Sequence, residues 1–174
     1  MIDQLTHNQS SFQKREFPII LLLDNVLSEA NLGSMFRLAD AFGIQKIYFC
    51  GSEPNLKSNR LKRTARNTQN VVAFEYKEDS EETIRSLKKE SFRTLALEIT
   101  SSSNPIENFS LKNSEKLVLV AGNERHGISE NTLKLCGEYF HIEMFGANSS
   151  MNVAQSVGIA LYEITKAFNK FAKK

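Results

Sequence analysis

The sequence predicts an α/β domain built on a mainly parallel sheet with helices on both faces. Two apolar runs, Pro18 to Asp24 and Leu117 to Ala121, are hydrophobic without alternation, as expected of strands covered on both sides. Strand-sized segments alternate along the chain with segments of helical period, the order that produces a parallel sheet. The 174 residues, 41% of them hydrophobic, suffice for one domain with a substantial core.

Residues 1–17 lack a sustained apolar period and read as an N-terminal arm, so the domain is expected over residues 18–174. After the first strand, Asn31 to Phe42 reads as a helix. Its apolar positions Leu32, Met35, Phe36, Ala39 and Phe42 recur at three- and four-residue steps, and Gly43 offers a stop. Further strands are expected at Lys46 to Cys50, Val71 to Tyr76, Arg93 to Ile99 and Tyr139 to Met144. Glu81 to Lys89 reads as a charged surface helix, Asn131 to Cys136 as a short helix and Met151 to Phe171 as a long closing helix. Ser101 to Asn104 reads as a loop ending at Pro105.

Composition narrows the setting more than the activity. The net charge of +2 neither demands nor excludes a nucleic-acid partner. No apolar run approaches the roughly 20 residues that cross a bilayer. The polar beginning of the chain lacks a secretory h-region. Two cysteines, Cys50 and Cys136, suggest no disulfide framework, so a cytoplasmic location is expected. Cys136, His126 and His141 match no zinc spacing, and no metal is expected.

Three strand-to-helix connections carry the candidate chemistry. Parallel sheets place ligands at the carboxyl ends of their strands. The first connection runs from Asp24 to Arg37, with Asn31 near a helix N-terminus and Gly33 allowing another backbone to come close. On spacing alone, Arg37 is equally a solvated helix residue. The second runs from Gly122 through Asn123, Glu124 and Gly127 to Ser129, which is placed to cap a helix. It lacks the Lys-Ser/Thr pair of a phosphate loop and the three-glycine spacing of a dinucleotide fingerprint. The third runs from Ile142 through Met144 and Gly146 to Ser150, Met151 and Asn152, where Ser150 or Asn152 starts the last helix. Each taken singly also reads as an ordinary capped loop.

Together the three resemble the signature motifs of the SpoU/TrmH branch of the SPOUT superfamily, RNA 2′-O-ribose methyltransferases, in order and separation. Asn31-x-Gly33-x-x-x-Arg37 is similar to the first motif. Gly122-Asn123-Glu124-x-x-Gly127-Ile128-Ser129 is similar to the second, and Ile142-x-Met144-x-Gly146-x-x-x-Ser150-Met151-Asn152-Val153 to the third. The likeness spans roughly Pro18 to Phe168. It departs at Glu143, where the family usually carries proline, and at Met151, where leucine is commoner.

The resemblance implies a C-terminal trefoil knot, although chain topology in general disfavours knots. It also implies S-adenosylmethionine as cofactor, held by Gly122, Asn123, Gly127, Ile142, Met144, Ser150 and Met151, largely through main-chain groups. Arg37 is implied as the essential catalytic residue, with Asn31 steadying it and Glu124, Ser150 and Asn152 shaping the hydroxyl and methyl region. Guanidinium groups rarely give up a proton, so orienting RNA phosphate and stabilising alkoxide charge suits an arginine better than acting as base. Lys57, Arg60, Lys62, Arg63 and Arg66 form the candidate RNA-binding segment. The resemblance further implies a homodimer, with Val153, Val157, Ala160, Leu161 and Ile164 serving core or interface. The short arm favours transfer RNA over ribosomal RNA. The rivals are a knotted RNA-binding module without catalysis and a different nucleotide-binding α/β enzyme.

Overall fold

A computed structural model describes residues 3–5, 9, 12–113 and 115–172, so part of the expected N-terminal arm and the last two lysines lie outside the described residues. The described residues form seven strands: β1 (Phe17–Asp24), β2 (Ile44–Cys50), β3 (Phe74–Lys77), β4 (Phe92–Leu97), β5 (Asn104–Pro105), β6 (Lys116–Gly122) and β7 (Glu138–His141). Among the described residues five α-helices connect or close them: α1 (Glu29–Ala41), α2 (Asn59–Ala65), α3 (Ser80–Lys89), α4 (Glu130–Leu135) and α5 (Val153–Phe171). The strands form one sheet in the order β3-β2-β1-β6-β4-β7-β5. Every pairing is parallel.

The unbroken apolar runs sit at the centre of this sheet, where both faces are covered. In β1, Ile19, Leu21 and Leu23 join the core formed with α1, α2 and α5, while Ile20 and Leu22 join a second core under α3. Leu117, Leu119 and Ala121 of β6 divide from Val118 and Val120 in the same way. Phe36 of α1 meets Phe49 and Phe74 at ring-centroid distances of 5.3 and 5.2 Å, tying helix and sheet together. Burying each such side chain contributes about 1.5–3 kcal/mol.

Several expected boundaries move, each for a local reason. The strand expected at Val71 to Tyr76 begins only at Phe74, because Thr68–Asn70 close a 3₁₀ turn first. The strand expected at Tyr139 to Met144 spans Glu138–His141. Its outer neighbour β5 is two residues long and pairs with Phe140 and His141 alone, so Ile142 onwards has no strand beside it. Helix α2, read from the sequence only as a basic segment, has Leu61 and Ala65 buried four residues apart, and Ser58 caps it by accepting from the N–H groups of Arg60 and Leu61. Ser129 occupies the position before α4, but its hydroxyl donates to Thr132 Oγ1 instead of capping the helix. Asn152 starts α5 and caps it, accepting from Ala154 and Gln155 N–H at 2.9 and 3.3 Å.

Gly33 does allow a close backbone approach, but the partner is α2 and not a ligand. A Cβ there would stand 2.0 Å from Thr64 Oγ1 and 2.4 Å from the Leu61 carbonyl oxygen. Val157, Ala160, Leu161 and Ile164 of α5 all point into the core, with Val153 packed at its edge. The outer side of α5 instead exposes Ile159 and Tyr162.

Candidate functional site

At the carboxyl ends of β4, β6 and β7 lies a cleft of about 420 Å³. That falls within the roughly 300–1,000 Å³ usual for small-molecule sites. Its walls come from Leu97 to Ile99 after β4, from the turn after β6, from His141 to Met144 after β7, and from Ser149 to Val153 at the start of α5. Gly122, Asn123, Gly127, Ile142, Met144, Ser150 and Met151 all line it, so the structure brings together every residue assigned to a cofactor by the sequence reading. Glu124 and Asn152 line it as well.

The turn after β6 is a tight reverse loop. Asn123 and Gly127 exchange both main-chain hydrogen bonds at 2.9 Å, and Asn123 Oδ1 accepts from Arg125 and His126 N–H inside the loop. Gly127 has φ +67°, a left-handed conformation that favours glycine. A Cβ on Gly122 would stand 2.1 Å from both the Gly127 carbonyl carbon and the Ile128 nitrogen. Glycine at both positions is therefore needed to fold the loop onto itself. Two carboxylates at the ends of neighbouring strands hold its far side. Asp24 Oδ2 accepts from Ser129 N–H at 2.8 Å, and Glu98 Oε2 accepts from Ile128 N–H at 3.0 Å.

Glu124 connects this loop to the first motif. Its carboxylate accepts from Ser28 N–H at 2.9 Å, from Leu27 N–H at 3.2 Å and from Asn31 Nδ2 at 2.8 Å. Asn31 Oδ1 in turn accepts from Asn152 Nδ2 at 2.9 Å. One amide side chain thus bonds to the second and third motifs at once. Partial burial pushes the Glu124 carboxyl up, but the donated hydrogen bonds from Asn31 and from main-chain N–H groups outweigh it, leaving the carboxyl below the ordinary carboxylate range. The charge has been placed where donors already converge.

Arg37 and Asn31 do not line the cleft. Asn31 is buried behind it, and Arg37 is exposed on α1. Arg37 lies six residues beyond Asn31, about 9 Å along the helix. It also lies four residues after Gly33, on the side of α1 that meets α2. The two helices run alongside each other in the same direction. Ser58, at the start of α2, donates to Glu29 Oε2 at 2.6 Å, and Leu61 and Thr64 follow at Gly33. Lys57, Arg60, Lys62, Arg63 and Arg66 are all exposed on or beside α2. Arg37 therefore belongs spatially to this basic ridge.

Glu98, Arg125 and His141 line the cleft without having been assigned to it from the sequence. The position of Glu98 at the carboxyl end of β4 was the available signal. His141 Nδ1 lies 2.9 Å from Ser103 Oγ. Among the described residues, no group of three His, Cys, Asp or Glu side chains is arranged to hold a metal ion. Both cysteines are buried, which pushes each thiol up to about 12, so neither is poised as a nucleophile. No helix among the described residues is long and apolar enough to cross a membrane.

The cleft beyond the strand ends of this parallel α/β sheet, where three turns converge, is the place at which such folds bind their ligands. The family follows from comparison: residues 18–162 match the SpoU rRNA Methylase family, and the chain belongs to it. It is 28% identical over 152 residues to the tRNA (guanosine(18)-2'-O)-methyltransferase of Aquifex aeolicus (strain VF5), covering 87% of this chain and 70% of that protein. It is 30% identical over 169 residues to the 23S rRNA (guanosine-2'-O-)-methyltransferase RlmB of Pasteurella multocida (strain Pm70), covering 95% of this chain and 64% of the relative. Among solved structures, the A. aeolicus TrmH/SpoU tRNA modifying enzyme superposes with a TM-score of 0.80 at 25% identity, over 90% of this chain and 78% of that one. An AdoMet-bound rRNA methyltransferase from Sinorhizobium meliloti superposes with a TM-score of 0.79 at 25% identity, over 88% and 57%.

Proposed function

We propose that this chain transfers a methyl group from S-adenosylmethionine to a ribose 2′-hydroxyl of RNA, with a guanosine of transfer RNA as the preferred target, and that it works as a homodimer. The observation carrying the reading is the convergence of the second and third motifs on one cleft, bridged by Asn31 to the first. The cofactor fits this cleft chemically as well as by size. Among the described residues, the main-chain N–H and C=O groups of residues 142–151 bond to no protein group, which leaves a run of donors and acceptors for an adenine and ribose.

When bound, the cofactor supplies a sulfonium methyl that is already activated. The chain must therefore align the attacking hydroxyl and manage its proton. In the proposed arrangement the loops from Gly122 to Gly127 and from Ile142 to Met151 hold the nucleoside. Glu124, Ser150 and Asn152 face the reacting region, and Asn31 is a positioning residue that holds Glu124 and Asn152 in register. Arg37 orients a phosphate of the RNA and offsets the charge developing on the 2′-oxygen. Its place on the basic ridge and outside the cofactor cleft supports that role over proton abstraction. Lys57, Arg60, Lys62, Arg63 and Arg66 extend the phosphate track.

The proposed trefoil knot is supported by the strand order. The chain leaves β6, passes β4 to form β7, and returns through α5 to pack on α1. A two-fold assembly through the outer side of α5 is supported by exposed Ile159 and Tyr162 there and by Phe145 in the adjoining loop. The transfer-RNA preference rests on the A. aeolicus relative. The P. multocida relative keeps ribosomal RNA as the alternative.

The test is incubation of the protein with labelled S-adenosylmethionine and either unmodified transfer RNA or ribosomal RNA, followed by mapping of 2′-O-methyl sites. Label in transfer RNA at one guanosine is the expected result, and no label in either RNA overturns the reading. Arg37→Ala is expected to bind S-adenosylhomocysteine like the wild type while turnover falls by at least about 100-fold.

A further inference from the structure

Glu98 stands at the carboxyl end of β4, partly buried, and is a wall of the cleft. Its two carboxylate oxygens each accept one main-chain hydrogen bond. Oε1 accepts from Ile99 N–H at 3.1 Å and Oε2 from Ile128 N–H at 3.0 Å. A carboxylate offers about four lone-pair sites, so two remain after these bonds. No lysine, arginine or histidine pairs with Glu98 among the described residues, although Arg125 and His141 share the cleft. The two backbone donors also fix its orientation. Oε2 lies 2.4 Å from where a Cβ on Gly127 would stand, so only glycine lets this loop close over the carboxylate.

An oriented carboxylate with free acceptor sites, in a cleft at the end of a parallel strand, suits one kind of ligand group. It calls for neutral hydroxyl donors, and a vicinal diol supplies two. The same logic places an acidic residue on the ribose in other nucleoside-binding α/β folds. We propose that Glu98 binds the ribose diol of the adenosyl group, selecting the ribonucleoside form of the cofactor while anchoring the loop that covers it. This inference rests on the cofactor reading above and adds a residue to it. In the proposed arrangement Gly122, Ile142 and Met151 hold the nucleoside through main chain, whereas Glu98 reads its sugar through a side chain.

The experiment is a binding cycle by calorimetry, without turnover, using S-adenosylmethionine, S-adenosylhomocysteine and the 2′-deoxy and 3′-deoxy analogues of the latter with wild type, Glu98→Gln and Glu98→Ala. In the wild type, loss of a hydroxyl is expected to weaken binding about tenfold or more, as for a hydrogen bond to a charged acceptor. In Glu98→Gln, binding of the parent ligand is expected to weaken by a similar factor, and removing the hydroxyl then costs little more. Glu98→Ala removes the loop anchor as well. Its affinity falls further, but the ratio between parent and deoxy ligands stays near one.

Three results overturn the assignment. Either variant could discriminate the deoxy ligands as strongly as the wild type. Glu98→Gln could bind the parent ligand unchanged. Weakening could be confined to the cationic donor, with S-adenosylhomocysteine unaffected, which would place Glu98 at the sulfonium. If the wild type binds none of these nucleosides, the cofactor reading itself fails, an outcome distinct from the other three.

Discussion

The Glu124 carboxylate takes hydrogen bonds from Asn31 and from two main-chain N–H groups before the first helix, and its charged form is favoured as a result. A carboxyl held below its ordinary 4.5 contributes stability that is fully present above that value and is lost as pH falls through the lower folded value. Stability toward denaturant should therefore keep this contribution from pH 7 to 5 and lose it on the acid side of about 4.5, and Glu124→Gln should shrink that acid loss. Denaturant unfolding measured against pH checks it. The Arg37→Ala expectation belongs to the same scale, because Arg37 does not line the cleft. At this scale much was legible in advance. Glycines and turn residues announce main-chain geometry, and Gly122 and Gly127 are where a Cβ has no room. Glu98 carried only the signal of its place after a strand, where a lone glutamate looks like any solvated residue until the turn from β6 closes on it.

Among elements, the α1/α2 pair carries the largest surprise. Gly33 belongs to the first motif, yet the close approach it permits is to the Leu61 and Thr64 turn of α2. Gly33→Ala should push the two helices apart at a cost of about 2 kcal/mol, lowering Tm by roughly 4–8 °C. Gly146→Ala, at a position with nothing within 4 Å of the added Cβ, should change stability by less than about 0.5 kcal/mol. Thermal melts of both variants provide the comparison. Because α2 sets the basic side chains beside Arg37, Arg60→Ala and Arg63→Ala should each weaken RNA binding and lower the slope of log affinity against log salt by about 0.7–0.9. Fluorescence titrations at several salt concentrations measure that slope. Helix α2 escaped the sequence reading because two buried positions, Leu61 and Ala65, are too few to establish a period amid five cations.

For the whole molecule, α5 presents two different faces. Its inner residues Val157, Ala160, Leu161 and Ile164 fill the core, while Ile159 and Tyr162 stay exposed. If a second copy covers that outer side, sedimentation should give a dimer at micromolar concentration, and Ile159→Asp with Tyr162→Asp should give a folded monomer. Circular dichroism of the variant guards against misfolding as the cause.

The sequence by itself determined the α/β class, the covered central strands and the places of the three motif turns, because these depend on local period, glycine stereochemistry and motif spacing. Tertiary structure alone decided which side of α5 is core, where β7 stops, what Gly33 touches and that Glu98 belongs to the cleft. Each of those depends on which neighbour arrives from a distant part of the chain. Burial and hydrogen-bond partnership are properties of such pairs, and one-dimensional periodicity carries no record of the second member.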